Sequence, residues 1–220
     1  MSPTSLSPPK AIIFDWDNTL IDSWQVIHEA MNATFDEFGL PHWSLIETEQ
    51  KVAKSMRDSF PKMFGEDWER AGTIFHGHFK AIHIERLSPY PGAGEALAQL
   101  VDAGIYLGVV SNKTGAFLRA EAENLGWDHH FGQIIGAGDA PRDKPAMDPV
   151  VMALQDSGIA RGQDVWFAGD AAIDLECAKN SGCIPILVRP NAPKAQEFSD
   201  CQPALHFQTV QMLSNFTKTM

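Results

Sequence analysis

The chain has 220 residues, of which 44% are hydrophobic and 20% are charged, and its formal net charge at pH 7 is -11. This composition is typical of a globular protein and excludes a disordered or fibrous chain. The acidic balance argues against a nucleic-acid partner held by a general basic field. The leader lacks the apolar segment of a secretory signal, and no apolar run is long enough to span a membrane. The three cysteines show no zinc-site spacing, so we expect reduced thiols in a cytoplasmic protein.

Five short apolar runs, each followed by polar or small residues, predict the strands of a sheet. They are AIIF from Ala11, IYLGVV from Ile105, a weaker QIIGA from Gln133, VWFA from Val165 and IPILV from Ile184. Runs this short and this apolar are typical of strands buried on both faces, as in a parallel sheet.

Helical segments lie between these runs, and each of them stops at a glycine, which commonly ends a helix. The segments are AGEALAQLVDAG, GAFLRAEAENLG, DPVVMALQDSG and AAIDLECAKNSG. Alternation of strands and helices predicts an α/β fold with a mostly parallel, Rossmann-like sheet and right-handed crossovers.

Residues 22–88 break this alternation, because they carry helical patterning and no convincing strand. The segments SWQVIHEAMNATFDEFG and WERAGTIFHGHFKAIHIERL are amphipathic. We therefore expect residues 1–21 and 89–220 to form the α/β core. Residues 22–88, called the helical insert below, would form a cap over it. The insert begins just after a pair of acids, which suggests a lid.

Ligands of an open parallel sheet bind beyond the carboxyl ends of its strands. Four loops expected at that edge carry chemically capable side chains. The first loop has two acids and a hydroxyl, the second a hydroxyl and an amide, the third a lysine and the fourth two acids: Asp15, Asp17 and Thr19; Ser111 and Asn112; Lys144; Asp170 and Asp174.

This set of side chains suits the transfer of a phosphoryl group. Asp15 and Asp170 could hold a hard cation such as Mg²⁺, which prefers oxygen ligands and would offset the clustered negative charge. A phosphate bridged by the metal could be bound by Ser111, Asn112 and Lys144. A carboxylate beside the phosphoryl group can act as a nucleophile, and a carboxylate two residues further on can act as general acid and base.

The motifs DWDNT, SN, DKP and GDAAID, in this order, resemble those of the haloacid dehalogenase superfamily. The family pattern is D-x-D-x-T, then Ser or Thr, then Lys, then G-D-x-x-x-D. The segments LIDS, YPGAGEAL and KPAMDP, with the small helical insert, resemble the phosphoglycolate-phosphatase-like branch. The resemblance covers nearly the whole chain. It implies a Mg²⁺-dependent phosphatase of a small phosphorylated metabolite, with phosphoglycolate-like substrates as the nearest candidates.

The resemblance also implies a role for each motif residue. Asp15 would be the nucleophile and a metal ligand, and Asp17 the general acid and base, lending its backbone carbonyl to the metal. Asp170 would bind Mg²⁺ directly, and Asp174 directly or through water. Further polar side chains would support the phosphate or the nucleophile: Thr19, Ser111, Asn112 and Lys144.

The first motif departs from the family at Asn18, where the family usually has glycine. Asparagine tolerates a left-handed backbone better than other residues that carry a side chain, so the turn is expected to survive. Trp16, between the two acids, is expected to point away from them into the core.

A few residues outside the motifs are candidates for contact with the substrate. Lys113 could add positive charge near the phosphate. In the helical insert, Arg57 is the preferred candidate for a contact with the leaving group, ahead of Trp24, His28 and Lys54.

Other functions stay open at this point. A sugar phosphomutase similar to β-phosphoglucomutase would share the core residues and differ in how the insert excludes water. A non-enzymatic phosphoryl-binding or receiver module is remote, because receivers pair adjacent acids and lack an insert. Asp17 argues against the family's dehalogenases and phosphonoacetaldehyde hydrolases, which lack that acid. The sequence leaves both a monomer and a homodimer open.

Overall fold

The computed structural model describes residues 6–52 and 55–220. Lys54, one of the candidates in the helical insert, lies outside the described residues. Within the described ranges, six strands form one sheet in the order β3-β2-β1-β4-β5-β6, and every neighbouring pair is parallel. The strands are β1 (Ala11–Phe14), β2 (Tyr106–Thr114), β3 (Gln133–Ala137), β4 (Val165–Gly169), β5 (Ile184–Val188) and β6 (Leu205–Phe207). The predicted α/β fold with a parallel sheet is confirmed.

Strand β1 is buried on both faces, which explains its unbroken apolar sequence. Ile12 and Phe14 pack into one core cluster with residues of the helices after β1 and β2, and Ala11 and Ile13 pack into a second cluster on the opposite face. Because β1 lies between β2 and β4, the residues that follow β1 are held next to the carboxyl ends of those two strands.

Among the residues that the structure describes, four α-helices lie between β1 and the rest of the α/β pattern. They are α1 (Trp24–Glu37), α2 (Leu45–Lys51), α3 (Met56–Phe64) and α4 (Trp68–Ile82). The sequence pattern indicated α1 and α4 individually, whereas α2 and α3 were covered only by the general helical patterning. Ser44 and Glu47 start α2 with a reciprocal capping box. The division of the chain into two domains stays a prediction.

The chain leaves the sheet for the insert and returns to it at one place. Ile21 and Pro89 form an isolated antiparallel bridge. Next to it, the backbone N–H of Asp22 donates to the carbonyl of Ser88 at 2.8 Å. The two ends of the helical insert therefore run side by side, directly after the turn that contains Asp15 and Asp17.

The remaining helices flank the sheet: α5 (Ala93–Asp102), α6 (Gly115–Asn124), α7 (Asp148–Ala153), α8 (Ala172–Ser181) and α9 (Val210–Thr217). Helix α7 is shorter than its pattern predicted. The chain tightens after it into turns, in which Gln155 donates to the carbonyl of Met152 and Ser157 to that of Leu154. Among the described residues, no helix has the length and apolar character needed to cross a membrane. The cytoplasmic location and the oligomeric state stay predictions.

Candidate active site

The sheet order brings three of the four motif segments together, because β1 lies between β2 and β4. Asp15 directly follows β1, and its backbone N–H continues the ladder by donating to the carbonyl of Ala168 in β4 at 2.8 Å. Asp170 directly follows β4. Ser111 and Asn112 lie inside β2, which runs further than predicted, and its pairing with β3 is irregular after Val110.

Lys144, from the loop between β3 and α7, reaches the centre of this edge. Its amine lies 2.6 Å from Asp15 Oδ1 and 2.7 Å from Asp174 Oδ1. Only 3% of the Lys144 side chain is exposed, so both ion pairs are shielded from water. The structure therefore joins the first, third and fourth motifs through one buried amine.

Three acids form a compact oxygen cluster around the amine. One carboxylate oxygen from each of Asp15, Asp170 and Asp174 lies within 4.8 Å of the others. Thr19 Oγ1 donates a long hydrogen bond of 3.5 Å to Asp170 Oδ1. Asp174 also accepts from the backbone N–H of Ala171 at 3.0 Å, which fixes its carboxylate at the start of α8.

The charges of this cluster are strongly perturbed. Burial, together with the neighbouring Asp174, raises the pKa of Asp15 to about 7, although Lys144 opposes that change. Burial, then Asp174 and Asp15, raise the pKa of Asp170 well above its ordinary value. Burial works against the charged form of Lys144, but Asp15 and Asp174 prevail and raise the pKa of that amine. One lysine therefore leaves the negative charge of the cluster only partly compensated.

This donor set fits a hard divalent cation. Clustered carboxylate oxygens, incompletely neutralised and close together, are the ligands that Mg²⁺ takes in proteins. Asp15, Asp170 and Asp174 could hold such an ion through their side chains. The Asp17 side chain points elsewhere, since its Oδ1 contacts Ser23 Oγ and Lys113 Nζ, which leaves its backbone carbonyl as the predicted metal contact.

A second buried network, which the sequence analysis missed, supports Asp17. The amine of Lys113 lies 2.7 Å from Asp17 Oδ1 and 2.6 Å from Glu121 Oε2. Glu121 also accepts a hydrogen bond from Trp16 Nε1 at 2.8 Å, and its other oxygen lies 2.8 Å from Nδ1 of His83. Trp16 is buried as expected, and its indole N–H is part of this network.

Opposite charges stabilise one another in the second network. Burial opposes the charge of Lys113, but Asp17 and Glu121 outweigh it and raise the pKa of the amine. Burial likewise opposes the charge of Glu121, but its bonds to His83 and Lys113 lower the pKa of the carboxyl. The network thus carries an ionised pair, Lys113 and Glu121, behind the carboxylate of Asp17.

Asn112 and Ser111 bond to the backbone of neighbouring residues. Asn112 Oδ1 accepts from the backbone N–H of Lys144 at 3.1 Å, and Asn112 Nδ2 donates to the Lys144 carbonyl at 3.3 Å. Ser111 Oγ accepts from the backbone N–H of Lys113 at 3.2 Å. Asn112 therefore fixes the loop that carries Lys144, and its predicted contact with the phosphate stays a prediction.

Asn18 adopts a left-handed conformation with φ of 63°, which the sequence led us to expect. Its side-chain Oδ1 accepts from the backbone N–H of Ser23 at 3.2 Å. The asparagine thus performs two functions: it takes the turn where the family has glycine, and it bonds to the residue before α1.

The candidates in the helical insert separate into two groups. Trp24 lines a cavity that lies between the acid cluster and the helical insert. Arg57 instead lies with Nε 2.5 Å from Asp143 Oδ2, outside the cavity lining. His28 lies within the insert, its Nδ1 3.1 Å from Thr48 Oγ1. The structure does not bring Arg57 to the acid cluster, and its predicted contact with the substrate stays a prediction.

The parallel sheet, its strand-end acids and the inserted helices define the class of haloacid dehalogenase-like hydrolases. The chain belongs to this family, because the family model described as haloacid dehalogenase-like hydrolase matches residues 12–188. The resemblance stated from the motifs is thereby confirmed, as is the assignment to an enzyme of the hydrolase class.

Two curated relatives cover most of the chain. The phosphoglycolate phosphatase of Chromobacterium violaceum is 28% identical over 188 residues, which are 81% of this chain and 84% of the relative. The pyrophosphatase PpaX of Halalkalibacterium halodurans is 25% identical over 171 residues, which are 78% of this chain and 79% of the relative.

Solved structures share the fold over almost the whole length. A haloacid dehalogenase-like hydrolase from Bacteroides fragilis has a TM-score of 0.85 at 21% identity, covering 93% of this chain and 99% of its own. A hydrolase of the same superfamily from Ehrlichia chaffeensis has a TM-score of 0.66 at 28% identity, covering 98% of each chain.

Proposed function

We propose that the protein is a Mg²⁺-dependent phosphatase that hydrolyses a small phosphate monoester through an aspartyl-phosphate on Asp15. The observation that carries the proposal is the position of Asp15, which lies within 4.8 Å of Asp170 and Asp174 and 2.6 Å from the Lys144 amine. The proposed nucleophile, the oxygens assigned to the metal and a fixed cation thus lie together at one edge of the sheet. The family membership and the relatives named phosphatase or pyrophosphatase support it.

In the first step a carboxylate oxygen of Asp15 attacks phosphorus, and the bond between phosphorus and the leaving oxygen breaks. Asp17 donates a proton to that oxygen, so that the product leaves as an alcohol. Lys144 holds the attacking carboxylate in place through its 2.6 Å contact with Oδ1.

In the second step Asp17 takes a proton from a water molecule, whose oxygen attacks the phosphorus of the aspartyl-phosphate. The bond between phosphorus and the Asp15 oxygen breaks, which releases inorganic phosphate and restores the carboxylate. Lys113, 2.7 Å from Asp17 Oδ1, orients the Asp17 side chain through both steps.

Mg²⁺ held by Asp15, Asp170 and Asp174 would neutralise the charge that gathers on the phosphoryl oxygens. The backbone carbonyl of Asp17 would complete the protein ligands assigned to the ion, and Asp174 would bind it either directly or through water. Ser111 and Thr19 are the hydroxyls assigned to the phosphate. Asn112 acts through the Lys144 backbone, to which both ends of its amide bond.

The test is phosphate release from a panel of phosphate monoesters, including an aryl phosphate, phosphoglycolate and glucose 1-phosphate. We expect turnover with Mg²⁺, none after chelation with EDTA, and recovery when Mg²⁺ is added back. Asp15→Asn is expected to abolish turnover, whereas Asp102→Asn, an exposed acid on α5, serves as the matched control.

Equal activity of the wild type and Asp15→Asn would contradict the nucleophile assignment, and activity that persists in EDTA would contradict the metal. If glucose 1-phosphate yields glucose 6-phosphate instead of free phosphate, the proposed function is wrong and the protein is a phosphomutase on the same scaffold.

A further inference from the structure

A cavity of about 550 Å³ lies between the acid cluster and the helical insert. Its floor contains Asp15, Asp17, Ser111 and Asp170, so it opens directly onto the reacting groups. Most of its wall residues are apolar, among them Ile27, Met31, Met56, Met63, Phe75 and Phe117. Polar side chains lie between them: Gln50, Ser59, His76 and Thr114.

The volume of the cavity indicates more than a two-carbon substrate. Cavities of roughly 300–1,000 Å³ hold ligands of drug size, and this one falls within that range at about 550 Å³. The methionines among the wall residues are unbranched and adapt their shape to a hydrocarbon surface. The aromatic rings of Phe75 and Phe117 add broad, flat surface.

The charges along the wall do not favour a second acid on the substrate. The basic side chains in the described lining each bond to an acid of this chain: Lys51 with Glu47, Lys113 with Glu121, Lys144 with Asp15, and Arg189 with Glu197. Burial lowers the pKa of His76, which favours its neutral form, and Glu49 adds a negative charge. Lys113 and Lys144 are held in buried pairs, Arg189 is in a half-buried pair, and Lys51 is in an exposed pair, so a carboxylate there would compete with an acid of the chain for each cation of the described lining.

We infer that the substrate is the phosphate monoester of an apolar alcohol, whose hydrocarbon part fills this cavity while its phosphate lies at the acid cluster. The inference rests on the proposed phosphatase function. It assigns the organic part to an alkyl or aryl group and not to a small acid such as glycolate. Burial of that group against the wall residues supplies the specificity, because it removes apolar surface from water.

The experiment is a homologous series of n-alkyl phosphates from methyl to hexyl, assayed with Mg²⁺. The parent alcohols have nearly equal acidity, so the chemical step is matched and only the buried surface changes. Each buried methylene is worth about 0.8 kcal/mol, which predicts a rise in kcat/KM of roughly threefold to fourfold per carbon. Over five added methylenes, hexyl phosphate should exceed methyl phosphate by roughly several hundredfold, and it should exceed phosphoglycolate by at least about tenfold.

A binding arm makes the test independent of turnover. Affinities of the matching n-alkylphosphonates, which resist hydrolysis, are measured by calorimetry in the presence of Mg²⁺. We expect the affinity to rise with chain length, together with an increasingly negative heat-capacity change, the mark of apolar burial.

One pair of variants tests the wall itself. Met63→Gln nearly preserves the side-chain volume but places polar atoms on the wall, so the dependence on chain length should flatten. Met152→Gln is the matched control: Met152 is also half-buried, but it packs against the second core cluster and does not line this cavity. It should retain the full dependence, and thermal melts of both variants show whether each is folded.

The possible results separate the two proposals. If phosphate is released but neither kcat/KM nor affinity changes with chain length, or if phosphoglycolate is preferred, the apolar subsite is wrong and the phosphatase function stands. Affinity that rises with chain length without any turnover supports the subsite and overturns the phosphatase. An unchanged length dependence in Met63→Gln overturns the assignment of the wall.

Discussion

Arg57 Nε lies 2.5 Å from Oδ2 of Asp143, so an ion pair joins the helical insert to the residue that precedes Lys144. The Asp143 side chain is 1% exposed and that of Arg57 is 38% exposed, which makes the arginine the more accessible partner. Asp143 Oδ1 also accepts from the backbone N–H of Gly138 at 3.0 Å, within the same loop. The position of the insert and the position of the Lys144 loop are therefore linked.

Arg57→Gln is expected to lower kcat and to reduce the free energy of unfolding by about 1–2 kcal/mol, because the buried Asp143 carboxylate loses its cation while water partly compensates. Urea denaturation and steady-state kinetics on one phosphate monoester give both quantities. Arg142→Gln is the control, since Arg142 lies in the same loop and pairs with Asp148 on the surface. A variant with unchanged kcat and stability but a raised KM would favour the predicted contact of Arg57 with the substrate.

Glu121→Gln is expected to lower kcat at least about tenfold, because the ionised Glu121 no longer fixes the position of the Lys113 amine that orients Asp17. The free energy of unfolding should fall by about 2–3 kcal/mol, since a buried charge loses a partner. The control is Glu123→Gln, an exposed position on the same helix. Loss of stability with kcat intact would reduce the Glu121 network to a structural role.

The turn at Asn18 distinguishes backbone conformation from side-chain bonding. Asn18→Ala should cost about 1–2 kcal/mol, because alanine resists the left-handed region that Asn18 occupies. Asn18→Gly should cost less than Asn18→Ala, because glycine adopts that region freely although it loses the bond to Ser23. Denaturation curves of both variants, beside Asn124→Ala on an exposed helix end, measure the difference. Equal losses for glycine and alanine would assign the effect to the side-chain bond alone.

Asp139 supplies a pH-dependent contribution to stability. It accepts from Arg119 Nη1 at 2.6 Å and from the backbone N–H of Gly136 at 2.8 Å. Burial opposes the charged carboxylate, but these two bonds outweigh it and lower the pKa of Asp139 below its ordinary value of 3.8. Because the folded pKa lies below the unfolded one, the contribution is fully present above the unfolded pKa and is lost as the pH falls through the folded pKa.

Asp139→Asn should therefore destabilise the protein by about 1 kcal/mol at neutral pH and by progressively less as the pH falls below about 4. Urea unfolding at a series of pH values, with Asp200→Asn as an exposed control, follows the difference between variant and wild type. A difference that stays constant down to the acid limit would refute the assigned ion pair.

The sequence allowed the prediction of much of the sheet and of the acid cluster, because both depend on local signals. Short apolar runs marked β1 to β5, and the acid or polar residues at their ends converge wherever parallel strands lie side by side. Strand β6 was not predicted, because its three residues at the sheet edge, Leu205–Phe207, are too few to show a pattern. Helix α9, which follows it, was not recognised either.

The Glu121 network could not be predicted with the same ease, because its members are far apart in the chain. Trp16, His83 and Glu121 come from a strand end, the end of the helical insert and a helix of the core. One local signal was present: Glu121 shares a helix face with the buried Leu118 and the partly buried Leu125, a position where an acid needs a partner. The partner itself is a matter of tertiary packing.

The bridge between Ile21 and Pro89 makes the helical insert, residues 22–88, a single insertion, because the chain leaves the core and returns to it at one point. The helical insert nevertheless reaches back to the core. Arg57 pairs with Asp143, next to Lys144. His83 Nδ1 lies 2.8 Å from Glu121 Oε1, behind Asp17. Exchange of residues 22–88 would therefore change the support of the acid cluster together with the cavity wall.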